Sequence, residues 1–118
     1  MTIEQISVFL ENRAGQLAEI TGILANAGIP VGITTDHPVT PLKYLPMCAS
    51  LSVKSGMSKE DAYRALTVNP ARILRIDHRV GAVKPGLDAD LVLFDGDPLE
   101  MFTKVTAVFV NGKEKYRN

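Results

Sequence analysis

The sequence contains no tryptophan, one cysteine and two histidines in 118 residues. With Cys48 alone, no internal disulfide can form, so packing and hydrogen bonds must hold the fold. Cys48 falls in a helical pattern and reads as a small buried hydrophobe rather than a nucleophile. An excess of charge of either sign is also missing, because thirteen Lys and Arg balance thirteen Asp and Glu. A neutral chain projects no net field toward nucleic acid or an anionic membrane, and neither is expected as a partner. No apolar run is long enough to span a bilayer, and no basic start leads into an apolar signal core, so a cytoplasmic location is expected. Glycine-rich phosphate loops and dinucleotide fingerprints are absent as well.

What is present is a globular composition, 46% hydrophobic and 22% charged. The patterning predicts an α+β fold in one compact domain spanning residues 1–118. Ile3 to Leu10 alternate as a half-buried strand. Leu17, Ile20, Leu24 and Ala27 recur at helical spacing, and Gly28 is placed to end that helix. Ile29 to Thr35 is a β-branched run, so the chain is expected to open with a βαβ unit. A helical middle follows. Thr40-Pro41 is read as the start of a helix carrying Leu42, Leu45, Ala49 and Val53. Ser58 with Asp61 resembles a capping box for a helix through Ala62, Ala65 and Leu66, and Asn69-Pro70 repeats the cap-and-proline device before Ile73 and Leu74. The last third turns to antiparallel strands at Ala82-Val83, Asp90–Phe94 and Val105–Val110. There Asn111-Gly112 supplies a type I′ hairpin turn into Glu114–Tyr116.

Four stretches carry a family pattern: Ile33-Thr34-Thr35-Asp36-His37-Pro38; Met57 through Leu74; Gly81 through Val92; and Val108 through Lys113. In order and spacing, residues 31–118 resemble the C-terminal segment of a metal-dependent amidohydrolase, of the imidazolonepropionase-like branch. Ile6 through Ile20 is similar to the opening strand and helix of an ACT domain, an amino-acid-sensing module. The two resemblances meet within residues 27–32, so the domain reads as a chimera with an ACT-like part at 1–29 and an amidohydrolase-like part at 30–118.

The amidohydrolase resemblance implies a divalent-metal site that activates water for attack on a C–N carbonyl. Asp36 matches the aspartate that serves that family as metal ligand and general base, and His37 lies beside it. The His-x-His pair of the family is missing here, and two adjacent residues cannot fill a site that wants three or four ligands. No cofactor is therefore expected, and zinc or another divalent metal enters only if the hydrolase reading holds. As a polar pair ending a strand, Asp36 and His37 would instead shape a turn before Pro38. His78 reads as a solvated loop residue. Asp88 and Asp90 read as structural carboxylates, and Asp95-Gly96-Asp97-Pro98 as a turn. The ACT resemblance implies a small amino-acid ligand against Asn12, Gly15 and Leu17 at a helix start.

Three functions are consistent with these residues. The first is a folded chimeric domain that lacks catalysis on its own. The second is a metal-dependent hydrolase of cyclic amide C–N bonds, with its site completed by another chain. The third is an ACT-like amino-acid-binding module. A homo-oligomer is expected in each case, because near-zero charge and uncovered sheet edges favour association.

Overall fold

In the computed structural model, residues 16–118 are described. Four helices come first: α1 (Gln16–Asn26), α2 (Leu45–Lys54, preceded by a 3-10 turn at Leu42–Tyr44), α3 (Lys59–Leu66) and α4 (Val68–Ile73). Three strands follow: β1 (Leu91–Phe94), β2 (Val105–Val110) and β3 (Lys113–Arg117). The α+β class is as expected. Among the described residues no helix is long and apolar enough to cross a membrane.

Several local signals act as their chemistry dictates. Gly28 takes φ +77°, and its N–H bonds the Ala25 carbonyl while that of Ile29 reaches Leu24. This is the Schellman closure that only glycine adopts at no cost. Ser58 Oγ accepts the Asp61 N–H at 3.0 Å and its hydroxyl donates to Asp61 Oδ2 at 2.7 Å, which opens α3. Asn111 and Gly112 both have positive φ, and the hairpin they make pairs β2 with β3 antiparallel. β1 lies on the other side of β2, giving the order β1-β2-β3.

Other expectations need correction. The run 29–35 is neither helix nor strand and forms no ladder among the described residues. In its middle the Ile33 N–H donates to the Ala65 carbonyl at 3.0 Å. The predicted first strand, 3–10, lies outside the described residues, so the βαβ unit is not confirmed. β-branched content marks a residue that fits a pleated, half-buried surface, and the pairing has to come from a neighbour. The second helix begins at Leu45 rather than Pro41, with Pro46 in its first turn and no side-chain cap. Asn69 does not cap α4, because the helix already begins at Val68. Instead its buried side chain donates from Nδ2 to the Val31 carbonyl at 2.9 Å. Ala82-Val83 is not a strand but part of an irregular connector. Gly81 shapes that connector with φ +98°, and a Cβ there would come within 2.6 Å of the Ala71 Cβ.

Successive helices pack on one another, α1 on α2, α2 on α3 and α3 on α4. Their shared core is Val31, Ala49, Met57, Ala62 and Leu99. Leu99 comes from the β1–β2 loop, so this loop ties the sheet to the helices. Asp97 in the same loop accepts a hydrogen bond from the Tyr63 hydroxyl, pairs with Lys59 Nζ at 2.7 Å and accepts the Leu99 N–H at 2.9 Å. The Lys59 ammonium, then the Tyr63 hydroxyl, then the Leu99 N–H, lower the Asp97 pKa from 3.8 to about 2. Burial, and then Asp97, push the Tyr63 hydroxyl upward.

A carboxylate depressed in the folded state stabilises the fold above its unfolded pKa and stops doing so as pH falls through its folded value. The contribution of Asp97 is thus complete above about pH 4 and disappears toward its folded pKa of about 2. Asp97→Asn is expected to be less stable than the parent chain at pH 7, with the difference closing as the pH approaches 2. Urea denaturation across this range measures it, and a gap that persists unchanged in acid would show that the clamp is not ionic.

Candidate functional site

The segment that begins at Val31 ends in the residues with the chemistry. Val31 and Thr35 are buried, whereas Asp36 and His37 are exposed. Two anchors set the course of the segment: the Asn69 side chain on the Val31 carbonyl and the Ala65 carbonyl on the Ile33 N–H. α3 and α4 therefore present Asp36 at the segment's outer end.

At that end the backbone reverses. Asp36 has φ +50° and the His37–Pro38 peptide is cis. Val39 N–H closes the turn on the Asp36 carbonyl at 2.9 Å, and Thr40 N–H reaches the Thr35 carbonyl at 3.3 Å. The Asp36 N–H donates to Thr34 Oγ1, 3.3 Å away. The left-handed conformation is one that aspartate and asparagine tolerate better than other residues with a Cβ. Asp36 shapes this turn through its backbone, and its carboxylate makes no hydrogen bond or ion pair with another described residue.

Among the described residues no three His, Cys, Asp or Glu side chains gather where a metal could be held. The donors within reach at the turn are one carboxylate and one adjacent imidazole, below the usual three or four protein ligands of a zinc site. The residues present do not by themselves fit a metal centre. His78 lies exposed in the connector after α4 and does not join Asp36 and His37.

The remaining candidates are dispersed. Cys48 is half-buried on α2, with its carbonyl accepting the Ser52 hydroxyl at 3.2 Å. Asp88 pairs with Arg79 at 2.8 Å. Asp90 Oδ1 accepts the Asn111 N–H at 2.7 Å, holding the hairpin turn. Both carboxylates are structural, as expected. Asn12 and Gly15 lie outside the described residues, and Leu17 lies on α1. Asp97, which the local sequence marks only as a turn residue, is the centre of a cluster with Lys59 and Tyr63. Its available signal is the i, i+4 pair Lys59 and Tyr63 on one face of α3, a cation and a hydroxyl presented together to one carboxylate.

Comparison with known proteins places these features. The model of the amidohydrolase family matches residues 10–115. An imidazolonepropionase of Geobacillus kaustophilus is 40% identical over 75 residues, covering 61% of this chain and 18% of that protein. Adenine deaminase 1 of Desulfotalea psychrophila is 33% identical over 119 residues, covering 96% of this chain and 19% of that one. Among solved structures, an amidohydrolase from Thermotoga maritima superposes with a TM-score of 0.82 and 38% identity, over 86% of this chain and 26% of that chain. The chain thus spans about a quarter or less of the length of these relatives. The family match begins at residue 10, within the 6–20 stretch for which an ACT-like origin is expected.

The turn makes a prediction of its own. Asp36→Asn is expected to stay within about 0.5 kcal/mol of the parent chain, since asparagine also accepts positive φ. Asp36→Val, with a branched Cβ in that region, is expected to lose about 1–3 kcal/mol. Equal stability of the two variants in urea denaturation would contradict the left-handed conformation at residue 36.

Proposed function

The chain belongs to the amidohydrolase family, and we propose that it is a folded segment of that family without catalysis of its own. In this reading Asp36, with His37 beside it, is offered to a divalent-metal site whose remaining ligands lie outside these 118 residues. The observation that carries the proposal is the state of Asp36. Its backbone is fixed by the turn, while its carboxylate stands exposed and uncommitted at the end of an anchored segment. A structural carboxylate in this fold looks different: Asp90 accepts the Asn111 N–H and Asp97 the Leu99 N–H.

The missing ligands argue against independent hydrolysis. The chain has two histidines in all, and His78 does not approach the turn. The names of the relatives, imidazolonepropionase and adenine deaminase, favour a C–N bond in a small cyclic substrate for the completed site. A chimeric origin for residues 1–29 has less in its favour, because one family match runs from residue 10 through the supposed join.

Elemental analysis of the chain purified without a metal-binding tag tests this directly, with Asp36→Ala in parallel. Well under one equivalent of zinc is expected for both proteins, together with no hydrolysis of cyclic amides. One zinc per chain that disappears in Asp36→Ala, accompanied by turnover, would instead establish a self-contained hydrolase.

The exposed apolar surface supports association of the chain with itself. Val83, Met101 and Phe102 are each more than four-fifths exposed, and no large side chain is fully buried among the described residues. Such surface is stabilised when another copy covers it. Light scattering at micromolar concentration is expected to give a dimer or larger species, and a monomer under those conditions would refute this part of the proposal.

A further inference from the structure

Between the turn after α1 and the outer face of α3 and α4 lies an open cleft of about 290 Å³. It is at the opposite end of the 31–35 segment from Asp36. Its charged border comes from Glu60, Asp61 and Arg64 on α3 and Arg72 on α4. Glu60 and Asp61 stand four and three residues before Arg64, which puts all three on one helical face. Across from them Ala25, Ile29 and Pro30 form an apolar wall.

The polar groups differ in what they have free. Asp61 is engaged by the Ser58 hydroxyl, and the Asn69 amide is spent on the Val31 carbonyl. The guanidinium groups of Arg64 and Arg72 and the carboxylate of Glu60 make no hydrogen bond or ion pair with another described residue. Two planar donor forks and one acceptor thus face a single cleft with an apolar side. Guanidinium forks match a carboxylate two bonds at a time. The two carboxylates on the same border oppose a dianion such as phosphate. A ligand bearing one anionic and one cationic group complements the mixed border, and its apolar part meets the wall. The volume lies at the lower edge of the about 300–1,000 Å³ common for drug-sized ligands, which suits a smaller molecule.

We propose that this cleft binds a free α-amino acid with an aliphatic side chain. Arg64 and Arg72 take its carboxylate, Glu60 its ammonium, and Ala25, Ile29 and Pro30 its side chain. Gly28 lies on the cleft's border in open space, where even a Cβ would meet nothing within 4 Å. The proposal does not depend on the metal reading of Asp36, so either can fail without the other. It also requires none of Asn12, Gly15 or Leu17.

Titration calorimetry on the whole 118-residue chain tests it with L-leucine, leucinamide, 4-methylpentanoate and inorganic phosphate. Saturable binding of leucine is expected, with leucinamide and 4-methylpentanoate each weaker by about tenfold or more, since each lacks one of the two charges. Arg64→Gln and Arg72→Gln are expected to weaken leucine. Glu60→Gln is expected to weaken leucine while leaving 4-methylpentanoate unchanged, a pattern that loss of fold would not produce. No saturable heat with leucine would overturn the proposal, as would phosphate or 4-methylpentanoate binding as tightly as leucine. Should a variant fail to fold, the ligand series on the parent chain decides the matter alone.

Discussion

Among the described residues the sheet is tied to the helices by a short stretch of the β1–β2 loop, and the architecture depends on that joint. Leu99 enters the core beside Ala49, Met57 and Ala62, its carbonyl accepts the Ser50 hydroxyl at 2.5 Å, and Asp97 two residues earlier binds Lys59 and Tyr63. Apolar burial and charge-assisted hydrogen bonding act together on neighbouring residues of α3, Ala62 in the core and Lys59 and Tyr63 on Asp97. Neither would suffice alone. Two of the five core residues are alanines, which bury little area, and the Lys59–Asp97 pair is partly exposed, where isolated ion pairs stabilise little. Geometry makes them cooperate, because Asp97 also accepts the Leu99 N–H and so fixes the backbone that carries Leu99 inward.

How legible each element was follows from how local its cause is. Gly28, the Ser58 cap and the Asn111-Gly112 turn are decided within four or five residues, and a sequence states such causes directly. The 29–35 run depends on what lies beside it, and β-branched residues say only that a pleated surface would suit them. Asn69 shows the same limit in a sharper form. Beside Pro70 it has the chemistry of a cap, yet its amide is taken by a carbonyl 38 positions away in sequence. Asp97 reads as a turn residue and is one, but its partners come from a helix that the local pattern does not mention. The exposed aspartate at the candidate site was legible from its motif, whereas its lack of companions followed from counting histidines.

The position of Asp36 is set indirectly. No ladder holds residues 31–35 among the described residues, so their course rests on two contacts with α3 and α4: Asn69 to Val31 and Ile33 to Ala65. The first is buried, and a buried amide bonded to a main-chain carbonyl is costly to break because both groups lose their partner. Val31 adds a buried side chain at the same point. The segment is therefore fixed where it leaves the cleft and open where it presents the carboxylate. Because Val31 and Asn69 also line the cleft, the anchor of the Asp36 segment and the floor of the cleft are built from the same pair of residues. Any displacement of Asn69 that freed the Val31 carbonyl would loosen the support of Asp36 and reshape the cleft together, while substitution of an arginine at the cleft's border would touch only the latter.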